Sequence, residues 1–323
     1  MKAYDVVALG ELLVDFTENG MSAQGNPILE ANPGGAPCNV LSMLQQLGKK
    51  TAFIGKVGAD MFGKQLEAAL KEAGIETKGL KKDETVNTTL AFVHTLAGGD
   101  REFSFYRNPG ADMMLSVDDI DDEIIQNCKI FHFGSLSMTG DICKNATRRA
   151  IETAKKAGAI LSFDPNLRAP LWSSLAKAKE EIAYGIGQCD ILKISDNEIL
   201  WFTGKDDINS SITAMQERFS IPLMLVSLGK DGSIACIKNH RVHRPTYTGV
   251  KTIETTGAGD TFGACVLNFI LENGLHDFAQ RELEEMLDFA NAAASIVTTR
   301  KGALRIMPEK AEVEKLMREQ LVK

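Results

Sequence analysis

The sequence predicts an α/β fold: a central, mainly parallel sheet with helices on both faces, and a small β-sheet lid inserted in it. Three observations carry that prediction. Apolar runs of strand length alternate with amphipathic stretches of helical period over most of the chain. Around residues 84–112 this rhythm gives way to two alternating β runs joined by "AGGD", a hairpin signal. In the C-terminal third, the small-residue block "TTGAGD" stands directly before a new helix-period stretch.

The elements follow in order. "YDVVALGELLVDF" is a strand that breaks at Gly10, and "NVLSMLQQLG" (39–48) is a helix with an apolar face at Val40, Leu41, Leu44 and Leu47. "TAFIGKVG" (51–58) is a strand and "DMFGKQLEAALKEAG" (60–74) a helix with a glycine stop. Strand and helix alternating across short joints imply parallel strands with right-handed crossovers. The polar, Gly/Pro-rich 17–35 and the hairpin of 84–112 form the lid, taken as 15–35 plus 84–112 within a single domain of 1–323. "KIFHFGS" and "ILSFDPN" are strands around a helix at 140–158. "DILKIS" (190–195) and "LMLVSLG" (223–229) are further strands, each after helical stretches, and 232–247 is a hairpin. Three helices close the chain, at about 258–273, 279–299 and 309–321.

With 323 residues, 44% hydrophobic and 24% charged, the chain can bury a large core. A net charge of −7 argues against a nucleic-acid binder, which usually carries a basic face. The six cysteines are scattered without a C-x-x-C pair, as expected of reduced thiols in a cytoplasmic protein. No apolar run is long enough to span a membrane, and the N-terminus lacks the pattern of a signal peptide.

The chemistry centres on residues 255–270. Phe262, Cys265, Val266, Phe269 and Ile270 make one helix face, which puts Gly257–Asp260 at the helix N-terminus. Unpaired N–H groups and the positive dipole end favour a phosphate there, and glycines let it approach. A carboxylate in the mouth of an anion cradle makes sense if a phosphoryl group is transferred to a hydroxyl: the amides stabilise the equatorial oxygens and Asp260 takes the proton. A first-turn acid complementing the dipole is the plainer alternative. The spacing is G-x-G-x-x-x-G late in the chain, which speaks against a dinucleotide site, and no P-loop pattern occurs. His240 and His243 lie in a hairpin with no supporting carboxylate motif, so a metal site is not expected. "DDIDDE" (118–123) is a solvated helix start, and no G-x-S-x-G elbow supports a hydrolase.

"TTGAGDTFGA" resembles the C-terminal signature of the ribokinase-like (PfkB) carbohydrate kinases. "PGGAPCNV" (33–40) with "GKVGADMFG" (55–63) resembles their N-terminal signature. "GELLVDF", "REFSFYRNPGAD", "SFDPNLR" and "VSLGKDGS" lie between in the order seen in fructokinases, so the resemblance covers nearly the whole chain. It implies a ribokinase-like fold, with Asp260 as catalytic base and Gly257, Ala258 and Gly259 as anion hole. It further implies that Asp15, Gly34, Gly35 and Asn39 hold sugar hydroxyls. Tyr106 and Arg107 would close over the sugar, and Arg168 would approach substrate or phosphate. Asn166, Lys193, Ser227, Gly229, Gly232 and Asn291 would serve the nucleotide, together with Gly257 and Gly259. Taken singly, these residues have plainer readings: a strand-end acid, turn glycines, a helix cap, a solvated strand pair, a loop arginine, a hairpin turn and close helix packing.

Two departures stand out. The family's magnesium-linked N-x-x-E is "SDNE" here, with Ser195 for Asn and Glu198 kept, so Glu198 would act on Mg²⁺ through water. The usual Asp before "TTGAGD" is Glu254, which leaves monovalent-cation activation in doubt. The expected activity is ATP-dependent phosphorylation of a primary sugar hydroxyl, with fructose first. A 2-keto-3-deoxygluconate kinase is the alternative, its substrate carboxylate gripped by Arg107 or Arg168, and aminoimidazole riboside is a third. A catalytically silent sugar or nucleotide sensor and a nicotinamide oxidoreductase are the other classes. The strand residues Phe103, Phe105, Phe92 and Leu90 suggest a homodimer through the lid.

Overall fold

The structure is a computed structural model that describes residues 2–95, 101–238, 240–247 and 249–321. The "AGGD" turn lies outside the described residues, as does the side chain of Phe103.

The first half runs β1 (Tyr4–Leu9), β2 (Leu13–Met21), β3 (Pro27–Gly34), α1 (Ala36–Gln46), β4 (Thr51–Gly58), α2 (Met61–Glu72), β5 (Glu76–Asp83), β6 (Leu90–Thr95) and β7 (Arg101–Tyr106). The second half runs α3 (Asp122–Gln126), β8 (Cys128–Gly134), α4 (Asp141–Lys156), β9 (Ile160–Asp164), α5 (Leu175–Gln188), β10 (Ile191–Ser195), α6 (Asp196–Thr203), α7 (Ile208–Arg218), β11 (Leu223–Ser227), β12 (Ser233–Ile237) and β13 (His240–Arg244). It closes with α8 (Ala258–Asn273), α9 (Gln280–Val297) and α10 (Lys310–Leu321).

Among the described residues, nine strands form one sheet in the order β13-β12-β11-β10-β9-β8-β1-β4-β5. It is parallel except where β12 and β13 fold back antiparallel. Its inner strands are apolar on both faces, as a covered parallel sheet requires. Val6, Ala8, Phe53 and Ile130 join one core with α1, α2, α8, α9 and α10. Val7, Leu9, Ile54, Phe131 and Leu192 join the other with α3 to α7. Strand order reverses at β1: β4 and β5 lie on one side, β8 to β11 on the other. Open α/β sheets bind ligands beyond the carboxyl ends of the strands at such a switch point.

A second sheet, β3-β2-β6-β7, stands over that end. The pairings Asp15↔Ala91 and Ala91↔Phe105 fix one face, and Phe16↔Phe92 and Leu90↔Tyr106 the other. On the second face, Phe16 stacks on Phe92 at 4.9 Å and Phe92 meets Tyr106 edge-on at 5.1 Å.

Two elements differ from expectation. β5 was not foreseen. Its lysine-rich "ETKGLKKD" lacks clean alternation because it is an edge strand, where charges are tolerated and blunt further pairing. α1 begins at Ala36, three residues earlier than expected, because Pro37 sits in its first turn, where the missing N–H costs nothing.

Candidate active site

A cavity of about 650 Å³ opens between the lid and the carboxyl ends of the main sheet. Glu11, Asp15, Asn39, Phe105, Asn166, Arg168, Lys193, Glu254, Gly257, Gly259 and Asp260 all border it. A second cavity of about 440 Å³ adjoins it along Thr252 and Thr255. It is bordered by Gly229, Lys230, Tyr247, Ala258, Ala294, Ser295 and Thr298, among others. The first turn of α8 therefore stands between two adjoining cavities, with Gly257, Gly259 and Asp260 on one and Ala258 on the other.

That turn starts at Gly257, which caps the helix in a left-handed conformation (φ 78°) and has no side-chain cap. A Cβ at Gly259 would come within 2.9 Å of Lys193 Nζ, so glycine brings the backbone up to an ammonium group. Lys193 Nζ also pairs with Asp164 Oδ2 at 2.9 Å. An anion at the α8 terminus thus meets helix amides and a lysine together.

Asp260 is in the first turn of α8. Its Oδ2 accepts from Asn39 Nδ2 of α1 at 2.8 Å. Burial pushes its carboxyl up to about 6, and Asp164 adds to the rise. The Asn39 bond, Lys193 and Arg168 pull the other way. Asn39 Oδ1 is buried with no partner, so it can accept from a ligand hydroxyl. Asp15 is lifted to about 7, again mainly by burial, with Arg168 opposing and Glu254 and Asp260 reinforcing. Arg168 has one weak hydrogen bond, to Leu167 O at 3.3 Å, which leaves its fork of donors facing the cavity. Asn166 borders the cavity in a left-handed conformation (φ 44°).

Gly34 and Gly35 are forced by their surroundings. A Cβ on Gly34 would fall 2.1 Å from Asp15 Oδ2, and one on Gly35 2.4 Å from Glu11 O, with Gly35 at φ 126°. Gly34 lets the chain pass the Asp15 carboxylate, and Gly35 lets it pass the backbone of Glu11 and Leu12.

Several expected residues are elsewhere. Tyr106 is 67% exposed on the outer lid face, and the neighbouring Phe105 borders the cavity in its place. Strand parity is the reason: Tyr106 shares the face of Leu90 and Phe92. Arg107 is buried, its Nε 2.8 Å from Asp112 Oδ2, its Nη1 on Thr139 Oγ1 and its Nη2 on Leu136 O. It ties the base of the lid to the loop after β8 and has few donors left for a sugar.

Of the residues expected to serve a nucleotide, Gly229 borders the second cavity while Ser227 ends β11. Gly232 is a turn glycine whose Cβ would strike Arg244 O at 2.0 Å. Asn291 is buried, accepting from Ser233 Oγ and donating to Arg244 O and Pro245 O, so it fastens α9 to the hairpin. Ala294, Ser295 and Thr298, further along α9, border the cavity.

Glu198 caps its own helix. Its Oε2 accepts from Ser195 N and Oγ at 2.8 Å each, and its Oε1 accepts from Leu167 N at 2.7 Å. Three of about four acceptor positions are thus taken, which fits contact with a metal through one water and not direct ligation. Among the described residues, no group of three or more His, Cys, Asp or Glu could hold a metal. Glu254 Oε2 accepts from Gly302 N at 3.3 Å.

Glu11, like Phe105, is a cavity residue that sequence reasoning missed. It is 4% exposed, borders the cavity, and accepts from Ala36 N at 2.9 Å.

The geometry is one that a phosphoryl-transfer site needs: a half-buried carboxylate beside a helix N-terminus and a lysine, between two adjoining cavities. Comparison with known proteins agrees. The pfkB family carbohydrate kinase profile matches residues 3–310, and the chain belongs to that family. It is 41% identical over 314 residues to fructokinase-1 of Oryza sativa, covering 97% of each chain. The crystal structure of a Xylella fastidiosa fructokinase with bound ATP matches with TM-score 0.90 and 31% identity, over 98% of this chain and 99% of that one. A Vibrio cholerae fructokinase double mutant, bound to fructose, ADP and potassium, matches with TM-score 0.87 and 28% identity, over 98% and 99%.

Proposed function

We propose that the protein transfers the γ-phosphoryl group of ATP to a primary hydroxyl of fructose, with Asp260 as general base. The carrying observation is the placement of Asp260. It stands half-buried in the first turn of α8, between the glycines that expose the helix amides and the sugar-side groups Asn39 and Asp15. Fructose enters under the lid, where Asp15, Asn39 and Gly35 present acceptors and donors to its hydroxyls. ATP occupies the second chamber, with its γ-phosphoryl at the α8 terminus. Asp260 takes the proton of the attacking hydroxyl. The α8 amides, Lys193 and Arg168 stabilise the charge that spreads over the equatorial oxygens. Mg²⁺, carried by the ATP phosphates, would offset part of that charge, with Glu198 reaching it through water. Lid closure would bring Phe105 over the sugar and exclude water.

Two features favour a neutral sugar over the carboxylate-bearing 2-keto-3-deoxygluconate. The sugar end carries Glu11, Asp15 and Asp260 against Arg168, and Arg107 is already engaged by Asp112. ADP release measured with fructose, 2-keto-3-deoxygluconate and aminoimidazole riboside tests this. Fructose should give the highest kcat/KM, and a preference for the acid sugar would reject the assignment. We further propose a cytoplasmic enzyme that pairs through the outer lid face, where Met21, Leu29 and Tyr106 are exposed. Light scattering that finds only monomer would refute the pairing.

A further inference from the structure

The N-terminus of α1 poses a packing problem. Its cap residue, Gly35, has no side chain to offer, and none can be added, because a Cβ would fall 2.4 Å from the carbonyl oxygen of Glu11. No acidic residue stands in the first turn of α1. Pro37 has no N–H, so Ala36 N is the first donor that needs an acceptor. Glu11 supplies it: Oε1 lies 2.9 Å from Ala36 N. The residue whose backbone excludes a cap thus provides the cap with its side chain, from the turn between β1 and β2. One turn further along α1, Asn39 reaches across to Asp260.

We propose that Glu11 is a positioning residue: its carboxylate serves as the missing cap of α1 and so holds Asn39 in register with Asp260. This deepens the kinase assignment and rests on Asp260 being the base. Two physical terms support it. A carboxylate at a helix N-terminus is favoured by the dipole as well as by the hydrogen bond. The Asn39 bond is among the groups that favour ionised Asp260, with Lys193 and Arg168. Asp164 opposes it, and Asp15 and Cys38 also face this carboxylate. Burial lifts Glu11 itself to about 7. Its protonated form keeps a carbonyl oxygen for Ala36, so the capping role needs an acceptor more than a charge.

Steady-state kinetics with fructose and ATP across about pH 5 to 9 test this on wild type, Glu11→Ala, Glu11→Gln and Asn39→Ala. In Glu11→Ala the acid limb of kcat should move up by roughly half a pH unit. kcat at neutral pH should fall about tenfold, with KM for fructose changed less than about threefold. Asn39→Ala should move the limb in the same direction. Glu11→Gln, which retains an acceptor, should keep the wild-type limb. A Glu11→Ala enzyme with an unmoved limb and a raised KM overturns the proposal, since Glu11 would then bind sugar directly. A limb displaced equally in Glu11→Gln also overturns it. Should Glu11→Ala not fold, Glu11→Gln and Asn39→Ala still decide. Failure of the base assignment would show separately, as normal turnover in Asp260→Asn with Glu11 intact.

Discussion

Helices α1 and α8 begin on the same cavity, each at a glycine without a side-chain cap, yet their ends are finished differently. At α1 the chain closes the terminus with its own carboxylate, Glu11. At α8 the glycines and Lys193 are left facing the junction of two chambers, and Asp260 accepts from Asn39 of α1 instead of folding back as a cap. A helix end closed by the protein is a fixed reference. One left to a ligand is a binding site. The difference sorts two chemically similar stretches, "PGGAP" and "TTGAGD", into a scaffold and the proposed reaction centre.

The comparison can be broken in several ways. The largest effect belongs to α8. Asp260→Asn should lower kcat by about a thousandfold or more while fructose binding, followed by calorimetry, changes only a few-fold. Next is α1, where Gly35→Ala forces a Cβ against backbone at a φ reserved for glycine. It should destabilise the fold by about 2–4 kcal/mol in denaturant titrations. A loss below about 0.5 kcal/mol would mean that the α1 terminus is not the rigid reference claimed here.

The third test is pH. Asp260 is held at about 6, and Asp15 and Glu11 at about 7, all above the usual carboxylate range. As pH falls, catalysis should fade through about 6 as the base protonates. Stability should run the opposite way. The folded protein keeps protons that the unfolded chain has released, so these carboxylates weaken folding as pH rises from about 4 to 7. Asp60, Asp83 and Asp119 are held low by backbone amides, hydroxyls and Lys56, so their contribution is lost only below that window. The melting temperature of the ligand-free protein should therefore drop between about pH 4.5 and 7, and Asp260→Asn should shrink that drop. The smallest effect is a control. Gly263, further along α8, has open space where a Cβ would go. Gly263→Ala should stabilise by about 0.5–1 kcal/mol with kcat unchanged.

Much of this was legible in the residues. The alternation of strands and helices showed the parallel sheet, and the glycine block before a helix-period stretch marked the α8 terminus. What escaped depended on partners distant in sequence. Strand parity decides whether Phe105 or Tyr106 faces inward, and that needs the register with Leu90 and Ala91. Arg107 looked like a sugar clamp because Thr139 and Leu136, about thirty residues on, were not visible as its partners. Asn291 lies in a row of small residues that suggested a base pocket, but its amide serves the hairpin. Glu11 stands inside the "GELLVDF" match, but nothing local marks its role, which exists only once Gly35 is folded against it.

The central claim is best tested by a crystal structure with fructose and a non-hydrolysable ATP analogue. A primary hydroxyl of the sugar should lie about 2.6–3.2 Å from an Asp260 oxygen, with the γ-phosphate on the first-turn amides of α8. A sugar whose primary hydroxyls are all remote from Asp260, or a γ-phosphate seated away from Gly257–Gly259, would contradict the account.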